Sequence, residues 1–317
     1  MRMPGFTRPG LTLSLIAGLA LAVPVFAQAP ATGGEGQAVV TILPKKSHER
    51  PVRIEARDLE VKVNGGLSSV TSWVPLRGAN SDLEVVVLID GGASGDIGNQ
   101  LGDIRGFLKG LPPDAKAGLA YMQNGRAVMS GPLSTDHQAV AHELHIPSGI
   151  PGSNASPYFC LSDLAKHWPS KDTMARREVV MITNGVDEYG QPGDMDDPYV
   201  QASIHDAVKS GLVVYSIFWS DRGRNGGGMG SEFGQSLMAQ VTDATGGASY
   251  YTGLMNPVSV QPYLKDIAWR LENQYRLSFA SGLMGKPEVK RLALHVGGPA
   301  AKVVAPGQVY VTKFAGE

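Results

Sequence analysis

Residues 83–89 read Leu-Glu-Val-Val-Val-Leu-Ile and run straight into Asp90-Gly91-Gly92. An apolar, largely β-branched run of this length fits a strand covered on both faces, and such strands belong to sheets with helices on either side. The chain that follows keeps to this constraint. Ile97, Leu101, Ile104, Leu108 and Leu111 recur at helical spacing until Pro112-Pro113 ends the pattern. Segments 118–123 and 126–130 straddle Asn124-Gly125, a hairpin signal. Thr135-Asp136-His137-Gln138 fits a capping box, and Ser156-Pro157 fits an N-cap followed by proline at the first helical position. Strands over 178–183, 212–219 and 248–251 then alternate with helices over 199–209, around Phe233, Leu237 and Val241, and through Val260, Leu264, Ile267 and Leu271. The layout predicts an α/β fold: a mostly parallel sheet with one antiparallel hairpin strand and helices on both faces.

The flanks are different. Short strands are expected at 37–43, 52–55, 59–63 and 69–75, and again at 275–279, 289–296 and 308–312. These two sets are expected to join in a small β subdomain beside the α/β core. Residues 1–27 carry Arg2 and Arg8, an apolar stretch over 11–23 and Val25-Phe26-Ala27, the pattern of a secretory signal peptide cleaved after Ala27. The expected organisation is therefore a signal peptide over 1–27, a flexible leader over 28–36, N-terminal strands over 37–80, an α/β domain over 81–274 and C-terminal strands over 275–317. No later apolar segment is long enough to span a bilayer, so a secreted or periplasmic protein is expected, without a membrane span once the signal is removed. The net charge of −1 becomes −3 when the two arginines of the signal leave, which argues against a nucleic-acid partner. The single cysteine, Cys160, excludes an intramolecular disulfide and reads as a buried, inert thiol.

In open α/β sheets, ligands bind beyond the carboxyl ends of the parallel strands. The loops expected there cover 90–98, 151–156, 183–198 and 220–231. Asp90, leaving the most apolar strand, reads either as a ligand-binding carboxylate or as a cap for the next helix. His142-Glu143-Leu144-His145 is one residue too short for the zinc-protease spacing and reads as a solvated helix end, together with His137. Gly92-Ala93-Ser94-Gly95 lacks the Gly-x-Ser-x-Gly spacing of a hydrolase nucleophile. The acidic residues Asp187, Glu188, Asp194, Asp196 and Asp197 read as a solvated loop on the ligand face.

Five motifs stand in order across about 38–312. They are Asp90-Gly91-Gly92-Ala93-Ser94, a serine at a helix start (Ser156, with Asn154 a poorer match), and Thr183-Asn184-Gly185-Val186-Asp187. Thr245-Gly246-Gly247 before Ala248-Ser249-Tyr250-Tyr251, and Asn273-Gln274-Tyr275-Arg276-Leu277, complete the set. Together they resemble a von Willebrand factor type A (VWA) domain of the bacterial secreted, VWA-related group. The resemblance implies a three-layer, Rossmann-like fold and a metal-ion-dependent adhesion site at Asp90, Ser94, Ser156 and Asn184. In such a site a divalent cation sits in an oxygen cage with one position open to a partner's carboxylate. This chain departs from the family pattern. Gly92 removes a hydroxyl, Asn184 replaces a carboxylate with an amide, and Ser156 stands for threonine. Losing an anion opposite a dication removes gross attraction on the order of several kcal/mol. A vestigial site is expected, with no cofactor beyond weak Mg2+ or Ca2+.

The function implied is an exported, non-enzymatic module for protein–protein interaction or adhesion, with an unidentified protein partner contacting Tyr158, Tyr189 and Asp194. The alternative is a secreted hydrolase or metal-dependent enzyme centred on Ser94 and Asp90. None of the seven histidines falls in the four loops to serve as its base.

Overall fold

The computed structural model describes residues 34–45, 53–91, 96–147, 156–187, 189, 194–220, 228–251, 253, 255–282, 286–297 and 301–313. The expected signal peptide, Ser94, Gly92 and Asn154 lie outside them. Described residues 34–313 fall within one compact unit, Thr32–Glu317.

The chain opens with β1 (Gly34–Pro44), β2 (Leu59–Val63) and β3 (Gly66–Pro75). The next strand, β4 (Leu83–Asp90), begins the α/β part. It leads to α1 (Leu101–Lys109), the hairpin β5 (Lys116–Gln123) and β6 (Arg126–Met129), α2 (His137–His142) and α3 (Pro157–Lys166). Then come β7 (Arg176–Thr183), α4 (Pro198–Lys209), β8 (Leu212–Phe218), α5 (Gly228–Thr245), β9 (Ala248–Tyr250) and α6 (Gln261–Glu272). The chain closes with β10 (Gln274–Ser281), β11 (Glu288–Val296), β12 (Ala301–Val304) and β13 (Gln308–Lys313).

The α/β sheet has the order β6-β5-β4-β7-β8-β9, parallel except for the β5–β6 hairpin. The two-residue period of β4 divides its side chains between two cores. Val85, Val87 and Ile89 pack with residues of α1, α2 and α6, whereas Val86 and Leu88 pack with residues of α3, α4 and α5. Burying both faces is what makes the sequence of β4 nearly continuous in apolar residues. The exception is Glu84, which is buried and satisfied by the Trp168 indole N–H at 2.8 Å and by Lys116 at 3.1 Å.

The flanking strands close on themselves. Around the ring run β10, β3, β2, β11, β13 and β1, and β1 pairs back with β10. The small β subdomain is thus a closed, six-stranded antiparallel barrel, with β12 paired to the far end of β1. Closure removes the exposed edges that an open sheet of this size would leave. Val40, Ile42, Val61, Val63, Leu277, Phe279 and Val311 fill its interior. Glycine is required at Gly36, because a Cβ there would stand 2.5 Å from the Phe279 ring. The α/β part is inserted between β3 and β10, and the two ends of the insertion meet where Leu76 N–H donates to the Gln274 carbonyl at 2.9 Å.

Several local expectations change. The first strand starts at Gly34 rather than at the expected 37. Residues 53–55 are not a strand: Glu55 caps a single 3-10 turn, its N–H donating to Asp58 at 2.9 Å, while Ile54 fills the barrel core. Asp136 rather than Thr135 caps α2, accepting from Ala139 N–H at 3.0 Å. His137 is not solvated; it is buried, with its Nε2 2.7 Å from the Ala115 carbonyl. Strand β12 was not foreseen.

Candidate functional site

Counted by order in the chain, the α/β sheet reads 3-2-1-4-5-6, and the order reverses between β4 and β7. The crevice at that reversal, beyond the carboxyl ends, is where such sheets bind ligands. Asp90 ends β4 and Thr183 ends β7, so both stand at the reversal. The Thr183 hydroxyl donates to Asp90 Oδ2 at 2.6 Å and accepts from Gly185 N–H at 3.2 Å.

The other residues of the implied cation cage stand as follows. Asn184 Oδ1 accepts from Val186 N–H at 2.9 Å, closing a local turn. Ser156 occupies the N-cap position of α3 but makes no capping bond, and its Oγ is buried with no hydrogen-bond partner among the described residues. A hard divalent cation seeks six or more oxygens, with carboxylates meeting much of its charge. Of the three cage residues described, Asp90 brings the one anion, and its Oδ2 is engaged by Thr183. The amide oxygen of Asn184 is engaged as well, which leaves Ser156 as the one hydroxyl not already bonded. Among the described cage residues a cation would find one carboxylate, one amide oxygen and one hydroxyl.

Tyr158 corrects the sequence expectation that it contacts a partner. It is fully buried, and its hydroxyl donates to the Gly185 carbonyl at 2.7 Å. Burial, with the nearby Asp187 and Asp197 carboxylates adding to it, raises the phenol well above its ordinary pKa, so it stays a neutral donor. It ties α3 to the loop after β7. That loop also lies hard against α5. Gly185 has φ +69°, and a Cβ on it would sit 2.4 Å from the Gly234 carbonyl; a Cβ on Gly234 would sit 2.2 Å from that of Asn184.

Tyr189 is different. It is 44% exposed, and its ring lies 4.9 Å from that of Phe159 on α3. Tyr199, in the first turn of α4 and 39% exposed, stands 4.9 Å from the same Phe159 ring, edge to face, and 6.2 Å from Tyr189. Two aspartates set this trio. Asp187 Oδ1 accepts from Tyr189 N–H at 2.8 Å, and Asp197 Oδ1 caps α4 by accepting from Tyr199 at 2.8 Å and Val200 at 3.2 Å. Met195, 45% exposed, has its carbonyl held by Gln240 Nε2 at 3.0 Å, and Asp194 Oδ1 accepts from Asp196 N–H at 2.9 Å. The sequence had pointed to Tyr189 and Asp194. It missed Phe159 and Tyr199, because which rings meet depends on how the loop between β7 and α4 returns. The one available signal was an aromatic residue flanking each helix start.

Cys160 is buried on α3, and burial pushes its thiol up to about 12, so it is no nucleophile at neutral pH. Among the described residues no group of three or more His, Cys, Asp or Glu side chains is arranged to hold a metal.

No protein-family model matches this sequence, and no curated protein matches it. Solved structures of similar fold include an aerotolerance-related membrane protein from Bacteroides fragilis NCTC 9343, at 15% identity over 60% of this chain and 98% of that one, with a TM-score of 0.43. BatB from Bacteroides thetaiotaomicron is similar at 14% identity over 60% and 97%, with a TM-score of 0.39. A von Willebrand factor type A structure from Catenulispora acidiphila is similar at 10% identity over 90% and 75%, with a TM-score of 0.42. These neighbours are VWA-domain proteins at low identity. The likeness is distant, and neither the site nor the function rests on it.

Proposed function

We propose that this chain is an exported binding module whose protein partner docks on the carboxyl-edge loops, through Tyr189, Tyr199 and Asp194, without a metal ion at Asp90. The observation that carries this reading is the trio Phe159–Tyr189–Tyr199. Two of its rings are exposed on an α/β scaffold, and the segment leading into α4 also carries the exposed Met195 and the acidic residues Asp194 and Asp196. Tyrosine supplies large contact area at low conformational cost and is enriched at interface hot spots. In this reading the contact is made by side chains rather than through a shared ion, in keeping with a cage in which Asn184 stands where a carboxylate is expected. Export rests on the pattern over 1–27, and N-terminal sequencing of the mature protein should begin at Gln28.

The test is capture of the partner from the native envelope by the mature protein, with and without chelator. Tyr189→Ala and Tyr199→Ala should each weaken capture, and chelator should leave it unchanged. If both variants capture like the parent while Leu67→Ser on the barrel surface abolishes capture, the interface lies on the barrel and the reading is wrong.

A further inference from the structure

At the opposite end of the α/β sheet, the barrel meets the amino-terminal edge of the strands, and a cleft lies between them. It consists of two adjoining cavities of about 370 Å³ and about 100 Å³ that share Gln37, Thr173, Val208, Ser210 and Gly211 in their walls. The larger volume lies within the range of small-ligand sites, which favour boundaries between subdomains (roughly 300–1,000 Å³).

The walls have a particular chemistry. Arg177 and Lys209 line the larger cavity and Arg276 the smaller. Among the described residues none of the three pairs with a carboxylate. Arg177 Nη2 donates to the Asp172 carbonyl at 2.7 Å and Arg276 Nη2 to the Met174 carbonyl at 2.7 Å, so both guanidinium groups are held in place by the 170–175 loop. Arg177 Nε is buried and has no hydrogen-bond partner among the described residues, and the guanidinium lies 5.7 Å over the Trp168 ring. Lys209 lies 5.9 Å over the Tyr310 ring. Thr71, Thr173, Ser278 and Thr312 add hydroxyls, and Val208 adds apolar wall. Against the cations stand the exposed Glu35 and the carbonyl end of α4, equivalent to roughly half a negative charge. The chain as a whole has a net charge of −1, so three cations on one cleft without a carboxylate partner among the described residues are a local concentration and not a general basic surplus.

The geometry points to a binding site for a small polyvalent oxyanion in this cleft, with Arg177 and Arg276 as planar donors and Lys209 as a point charge at the rim. The site stands apart from the carboxyl-edge loops and does not depend on the partner-docking reading.

The test is calorimetric titration of the mature full-length chain at low salt, with citrate as the carboxylate probe and pyrophosphate as the phosphate probe. At least one should bind, and raising the ionic strength to about 0.2 M should weaken it. The probe that binds more tightly assigns the ligand class. Arg276→Gln should weaken binding but also loosens the 170–175 loop. Lys209→Gln is the deciding variant, because the Tyr310 ring is its one described partner, and it should weaken binding about tenfold or more. Lys166→Gln, outside the cleft, should bind like the parent. No binding of either probe at 10 mM, roughly the weakest affinity worth calling a site, overturns the proposal. So does equal binding by the parent and Lys209→Gln.

Discussion

Glu178 carries a carboxyl group held wholly away from water. It lies on β7, fully buried, where the α/β sheet meets the last turn of α6 and the start of β10. Around it, the Arg176 guanidinium donates to the Leu271 carbonyl at 2.7 Å and to Gln274, and Gln274 Nε2 donates to the Tyr215 hydroxyl at 3.0 Å. Burial pushes the Glu178 carboxyl from its ordinary 4.5 up to about 8, against the opposing pull of Arg176, Gln274 and Tyr215. The folded state therefore keeps a proton that the unfolded chain sheds above about 4.5. That contribution to stability is complete below about 4.5 and is lost as pH rises towards 8, on the order of a few kcal/mol. Urea midpoints should fall between pH 5 and pH 8.5 in the parent, and Glu178→Gln should flatten the slope. An equal slope in the variant would assign the effect to other groups. Asp90 and Ser156 lead to a second expectation. With Asp90 the one carboxylate among the described cage residues, weak cation binding is expected: thermal unfolding in millimolar magnesium and in chelator should nearly coincide, and a shift of about 5 °C or more would show that an ion is held. Asp90 was legible in the sequence because it ends a strand buried on both faces. The fate of Tyr158 was not, since a tyrosine in a first helical turn faces core or solvent according to the loop that packs over it.

At the scale of elements, the barrel depends on how closely β1 passes its neighbours. Gly36 stands across from Phe279, whose ring occupies the space of a side chain, so Gly36→Val should destabilise by about 1–3 kcal/mol through overpacking. Gly65 is the control. It sits at φ +82° with nothing within 4 Å of an added Cβ, and Gly65→Ala should cost about 1 kcal/mol through the backbone alone. Urea denaturation that ranked the two the other way would contradict the account of closure. The α/β elements were legible because burial on both faces, helical spacing and Pro or Gly stops are local signals. Strand β12 and barrel closure were not. Closure rests on β1 pairing with β10 at Val40 and Tyr275, a contact between distant parts of the chain that no local period records. The expected strand over 52–55 failed for a related reason: Ile54 is apolar because it fills the barrel core, not because it alternates along a ladder.

Across the whole molecule, one chain builds a barrel, interrupts it with an α/β domain, and returns to finish it. The two ends of the sheet thereby acquire different surroundings. The amino-terminal edge meets the barrel and its cationic cleft, while the carboxyl edge is left to the loops. Removing residues 274–313 would leave β1, β2 and β3 without four of the strands they share a sheet with, so the truncated chain should lose cooperative unfolding and bind a hydrophobic dye. Retained cooperative melting would show that the insertion folds without its barrel. The central claim is that partner binding belongs to the carboxyl edge and needs no metal. Hydrogen–deuterium exchange of the mature protein, free and bound to its captured partner in chelator, tests it most directly. The account predicts protection at 184–187 and 194–200 with the barrel strands unchanged. Protection confined to the barrel strands, or loss of the complex on adding chelator, would contradict it.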